Sequence, residues 1–280
     1  AAIICDPVKQ KHFSEVYKGR EPVYTQVRKA WKLYDPRKDS TAVIGHDGAG
    51  DLIMGDGPQR LNDKSTWAWT DNAAIAISNY AAHSDGYGLG YDMVNWTNIA
   101  QQADISDETV VTVTAEEIKR WRIWASWSLG RDERKRVLAD MLQAVDGFCW
   151  QGPDFKFNLM VGAYQEPTVT ITDDPIKAMT ATIGPRAQQS VSALKVLYTE
   201  AAIGYREQES ALVSVPDAVE DPNTDPQVVQ LYYAPHHNQA VRVGTLLAAR
   251  LGERWHLDLT TNLYGLNLLG ELYCRVRSAL

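Results

Sequence analysis

The chain has 280 residues, 45% hydrophobic and 22% charged, enough apolar material to bury a core in one large or two modest domains. A formal net charge of -7 excludes a nucleic-acid-coating protein, which would carry a basic stripe, but not a repulsive wall along which DNA slides. No run of about 18 apolar residues is present, so no helical membrane span is expected.

Residues 1–34 mix β-formers with charge and read as strands, ending in Trp31-Lys32-Leu33-Tyr34. The opening Ala1-Ala2-Ile3-Ile4-Cys5 lacks the basic leader of a signal peptide. Asp35 to Ser40 forms a turn. Gly45–Pro58 (GHDGAGDLIMGDGP) predicts a loop or a pair of tight turns, with Gly48, Gly50 and Gly55 free to shape an excursion toward a neighbouring subunit. Asp71 is the expected N-cap of a helix whose apolar face carries Ala74, Ile75 and Ile77, and Gly86, Gly88 and Gly90 stop it. Asn95 opens a second helix through Trp96, Ile99 and Ala103, and Val110–Val113 is extended.

Trp121, Trp124 and Trp127 recur every three residues within Ile118–Leu129, which predicts a helix with the three rings roughly along one edge, or an aromatic-lined turn. That ridge is either a subunit-interface anchor or a helix buried in its own domain, because tryptophan is enriched in both settings. Asp132–Val145 is amphipathic, with Val137, Leu138, Met141, Leu142 and Val145 on one face. Phe148–Val161, broken by Gly152-Pro153-Asp154, predicts a β-hairpin. Strands follow at Thr168–Thr172, Ala193–Tyr198 and Val228–Tyr233, the last after an acidic, proline-rich loop at 216–226. Ala240, Val243, Leu247 and Leu251 mark a helix, Trp255–Thr260 a strand, and Asn262–Gly270 a turn into a final strand. The pattern is α+β and β-dominated, without the βαβ alternation of a nucleotide-binding sheet. It divides into an N-terminal β segment (1–45), an inserted α/β region with helices and hairpin (46–165), and a β-rich region with one packed helix (166–280).

Chemistry finds little support. The glycine-rich loop lacks the Lys-Ser/Thr pair of a phosphate cradle. Asp47, Asp51 and Asp56 miss calcium-loop spacing. His236-His237 are adjacent and so point apart, which suits a cap or interface rather than a zinc pair. Cys5, Cys149 and Cys274 are widely spaced and read as free thiols. No catalytic residue, cofactor or metal site is assigned. Nine tryptophans and the acidic residues leave a glycan-binding module or a glycoside hydrolase as the alternative.

Several segments resemble, in the same order, the tail-tip attachment proteins of long-tailed bacteriophages, the lambda J-type family. They are Trp31–Thr41 (WKLYDPRKDST), Leu61–Asn72 (LNDKSTWAWTDN) with its Ala/Ile-rich helix, Tyr87–Gly90 followed by Asn95-Trp96, Phe157–Thr172 (FNLMVGAYQEPTVTIT), and Ala240–Gly270 with NLYGLNLLG. Ile105 stands where many members have a cysteine, so no thiol role carries over. Members are usually far longer, and a chain starting without Met fits the ordered part of a longer polypeptide. The resemblance implies hub β-barrel domains with inserted helical segments and a structural rather than enzymatic protein. It implies a homotrimer in the virion tail tip, contacting a distal tail protein, a tape-measure protein and a central fibre or receptor-binding protein, with no stable nucleic-acid binding.

Overall fold

A computed structural model describes residues 31–112, 115–163, 166–183, 191–200, 203–216, 226–251, 255–269, 271 and 273–278. The strands expected over 1–30, Cys5 and most of the acidic loop lie outside these residues. Residues 32–280 form one compact unit of mixed helix and sheet with slightly more strand than helix.

The centre of that unit is α1 (Ala73–Ala82), in which every residue but Ala76 is buried. A helix apolar on all sides is stable only when other elements cover it completely. Its N-cap is Asn72 rather than the expected Asp71, and the Asn72 carboxamide accepts from the Ile75 amide at 3.2 Å. The glycine-rich stretch after it folds back along the last turn. Tyr87, Leu89 and Gly90 amides donate to the Tyr80, Ala81 and Ala82 carbonyls, which the helix itself leaves unpaired. Gly86 makes the fold-back possible, since a Cβ there would sit 2.0 Å from the Tyr80 carbonyl oxygen.

Helix α2 (Trp96–Asp107), capped by Asn95 through the Asn98 amide, packs on α1 and on the hairpin β1 (Val43–His46)–β2 (Leu52–Met54). The expected loop at 45–58 is therefore mostly hairpin, with Asp47–Asp51 as its tip. Strands β3 (Thr109–Val111) and β4 (Glu117–Lys119) form a short antiparallel pair. Helix α3 (Arg134–Gln143) buries Val137, Leu138 and Met141, as its periodicity predicts. The hairpin β5 (Phe148–Gln151)–β6 (Phe157–Met160) follows, and all of β6 is buried.

A four-stranded sheet centres on β9 (Ala193–Glu200). It pairs antiparallel with β10 (Arg206–Glu209) and β11 (Val213–Ser214), and parallel with β12 (Gln227–Leu231). Leu194, Val196 and Tyr198 point alternately inward under α4 (His237–Leu251). Gly244 permits that approach, since a Cβ there would meet Val196 Cγ2 at 2.8 Å. One hydrophobic core joins α1, α2, α3, β6, β9 and α4.

The remaining elements are ribbons. Strand β8 (Ile176–Ile183), not anticipated in the sequence, pairs antiparallel with β13 (Trp255–Thr261). Strand β7 (Thr170–Ile171) pairs parallel with β14 (Arg275–Val276). A 3-10 helix at Leu263–Leu268 replaces the turn expected there. No described residue of these ribbons belongs to the main core.

Candidate functional site

The tryptophan segment is not a helix. Residues 120–124 run as an extended strap whose amides donate outward: Arg120 to Glu108, Trp121 to Ser106, Ile123 to Asp71 and Trp124 to Tyr233 carbonyls. Extended backbone sends successive side chains to opposite sides, so Trp121 and Ile123 turn into the core. Trp121 is completely buried, donates from Nε1 to the Gly162 carbonyl at 2.9 Å, and has the Arg242 guanidinium 5.1 Å above its ring. It is a core residue and offers no surface to a partner. Trp124 is half-buried between His236 and Tyr205, with ring centroids 5.9 and 6.0 Å away. Trp127 meets Tyr80 edge-on at 4.8 Å and donates to the Asp85 carbonyl. The three rings share no single ridge.

The strap and its neighbours are held by buried carboxamides. Asn79 pairs with both backbone groups of Tyr34: its Oδ1 accepts from the amide at 3.0 Å and its Nδ2 donates to the carbonyl at 2.9 Å. Asn72 Nδ2 donates to the Ala103 carbonyl, Asn98 accepts from the Leu159 amide, and Gln102 accepts from the Val161 amide. Gln239, 2% exposed, accepts from the Arg122 amide at 3.1 Å and donates to the Arg122 and Ala144 carbonyls at 2.9 and 2.8 Å. Helix side chains thus complete backbone pairing that a sheet neighbour would otherwise supply.

The Asp35–Ser40 turn is a charge knot. Arg37 reaches Asp35, Asp104 and Asp107, and Lys119 also engages Asp107. Burial raises the Asp39 carboxyl, but bonds from the Thr41 hydroxyl and amide and the Tyr34 hydroxyl, with Arg60 beside it, outweigh burial and hold it below its ordinary range. Burial and then Lys119 and Arg37 act the same way on Asp107, with the same downward result. His236 at the start of α4 is pushed down by burial and by Arg122, against Glu200, Asp71 and Glu116. These pairs lock the structure, and the described residues hold no group of three or more His, Cys, Asp or Glu placed to bind a metal ion.

The glycine loop divides. Around Gly48 and Gly50 there is open space, and Gly50 has φ +89°, so both shape the exposed tip beside exposed Leu52, Ile53 and Met54. Gly55 is internal: a Cβ there would lie 2.3 Å from the Pro36 carbonyl oxygen. Two exposed features went unnoticed in the sequence. Phe155, at the β5–β6 tip, is 69% exposed with φ +61°. A groove of about 500 Å³ beside the β8–β13 ribbon and the 3-10 helix is lined by Ile171, Leu259, Leu263, Leu266, Leu268 and Cys274 together with the polar Lys177, Thr261 and Asn262. The first was readable from the missing glycine after Gly152-Pro153-Asp154, and the second from the leucines of NLYGLNLLG. Comparison with known proteins finds no family model and no curated relative that matches the chain.

Proposed function

We propose that the chain is a structural component of the tip of a long-tailed phage tail. In this reading it forms a homotrimeric hub that closes the tail tube, links the distal tail ring to the central fibre, and takes part in attachment and DNA passage. Its partners would be the distal tail protein, the tape-measure protein and a fibre or receptor-binding protein. Hub β-barrel domains with inserted helical segments belong to the same reading.

The observation that carries it is where the resembling segments sit. Tyr34 of the DPRKD stretch is held by Asn79 of the Ala/Ile-rich helix, and Asn72 of that helix by the second helix at Ala103. Asn98 and Gln102 of the second helix are bound to Leu159 and Val161 of the FNLMVG stretch, and Asn95 to Asn158. The joining residues Tyr34, Asn72, Asn79, Gln102, Asn158, Leu159 and Val161 are buried, as positions needed by a common fold would be.

Quantitative mass spectrometry of the tailed particles made by the organism encoding the chain tests this reading. Three copies per tail are expected, and absence from the particles overturns it.

A further inference from the structure

We propose that the joint between the tryptophan strap and the start of α4 is a pH-sensitive latch, in which proton uptake by the His236 ring releases Trp124. The inference goes beyond the tail-tip reading and does not depend on it.

Buried polar atoms are almost always hydrogen-bonded, and an exception calls for an explanation. Among the described residues, the buried side-chain nitrogens without a hydrogen-bond partner are Arg122 Nε, Trp124 Nε1 and His236 Nε2. All three belong to one joint. His236 immediately precedes α4, and its carbonyl accepts the Gln239 and Ala240 amides at 3.1 Å each. Gln239 in turn holds both backbone groups of Arg122. The Trp124 and His236 rings meet edge-on with centroids 5.9 Å apart, and the Trp124 amide donates to the Tyr233 carbonyl.

The chemistry of these nitrogens makes the joint depend on one proton. Arg122 Nε and Trp124 Nε1 can only donate. A neutral imidazole with its hydrogen on Nδ1 presents Nε2 as an acceptor, and protonation turns Nε2 into a third donor. The groups around the ring act in the same direction. Burial opposes the imidazolium most, and Arg122 on the strap repels it. Glu200 at the end of β9, Asp71 ahead of α1 and Glu116 in the β3–β4 turn attract it. Two of these acids are already engaged: Asp71 lies 3.5 Å from Arg122 Nε, and Glu200 accepts from the Tyr198 hydroxyl. Burial pushes Tyr198 and Tyr233 up to about 12, so both stay neutral, and the exposed His237 ring sits edge-on to Tyr198. His236 therefore rests against Trp124 only while neutral. As pH falls, the ring leaves to take its proton in water, and the strap loses the contact that pins its end. One proton bound by the open form alone shifts the balance by up to about tenfold between pH 7.5 and 5.5, with an ordinary value of about 6.5 for the open form.

Amide hydrogen exchange of the full chain tests the latch, read by mass spectrometry at pH 7.5 and 5.5 and corrected for the intrinsic pH dependence of exchange. Protection over residues 120–127 is expected to fall by up to about tenfold at the lower pH and to stay below that of α1 at both. In His236→Gln, which lacks the titrating ring, strap protection should be the same at both pH values. Equal protection of strap and α1 means that the strap opens only in global unfolding, and overturns the proposal. So does a wild-type strap indifferent to pH, or the same response in His236→Gln. A second readout needs no change at His236. The wild-type Trp124 indole N–H resonance, identified by its loss in Trp124→Phe, is expected to shift with a midpoint below pH 6.5. A resonance that does not move between pH 7.5 and 5.5 overturns the latch.

Discussion

Gln239→Leu probes the seam between the helical core and the β9 sheet. Leucine matches the volume of glutamine, so the cavity term is small and the effect is polar. The wild-type carboxamide makes three hydrogen bonds, to the Arg122 amide and the Arg122 and Ala144 carbonyls. Each contributes about 1 kcal/mol net, and a buried backbone group left without a partner costs about 1–3 kcal/mol. Local relaxation recovers part of this, which leaves a loss of about 3–5 kcal/mol. That is a large share of the roughly 5–15 kcal/mol that holds a domain folded. At roughly 2–4 °C per kcal/mol for a chain of this size, Tm falls by roughly 6–20 °C. Urea denaturation followed by far-UV circular dichroism measures the difference, with wild type and variant compared at equal m-value. A loss below about 1 kcal/mol would refute the claim that this side chain substitutes for backbone pairing.

Other outcomes follow from the same structure. His236 has a folded pKa below the ordinary 6.5, through burial and Arg122, so the unfolded chain takes the proton first. Stability is then full above about pH 6.5 and falls as pH drops toward the folded value, and His236→Gln should flatten denaturation midpoints between pH 7.5 and 5.5. Trp121→Ala empties a fully buried site and orphans the Gly162 carbonyl, costing about 3–5 kcal/mol, whereas the half-buried Trp127→Ala should cost clearly less in the same assay. Phe155→Gly relieves about 1–2 kcal/mol of left-handed strain and returns about 0.5–1 kcal/mol through greater freedom of the unfolded chain. A net gain of about 0.5–1 kcal/mol in calorimetry of the monomer is expected, and a loss would mean that the ring packs within its own fold.

Elements with strong local signals were legible: α3 from its periodicity, the β5–β6 hairpin from Gly152-Pro153-Asp154, and α4 from Ala240 and Val243. The Trp121–Trp127 segment was not, because a spacing of three fits a helix edge loosely, and tertiary pairing decides the outcome. The strap's amides find acceptors on Ser106, Asp71 and Tyr233, so extended backbone loses no hydrogen bond by refusing the helix. The buried carboxamides were equally hidden. Asn79 and Gln239 read as ordinary polar residues on helices, and only their long-range partners, Tyr34 and Arg122, reveal why they are inside. Strand β8 was missed because IKAMTATI has low contrast between its faces, consistent with a ribbon whose described residues stay outside the main core.

The positions of strain differ in what each returns to the fold. Asp146 has φ +50° just after α3, where aspartate tolerates left-handed backbone, and its carboxylate holds Arg250 at 2.6 Å. Tyr205 has φ +61° at the start of β10, and its ring lies 6.0 Å from Trp124, so its strain is offset by packing within the chain. Phe155 has neither return: its ring is mostly in water, and its tip bonds need only backbone, which glycine would supply. The same turn position is filled by glycine at Gly50 and Gly204 and by Ala115, at φ +60°, in the β3–β4 hairpin. Phe155 is therefore the strained position at which glycine costs the fold least, which the stability of Phe155→Gly measures directly.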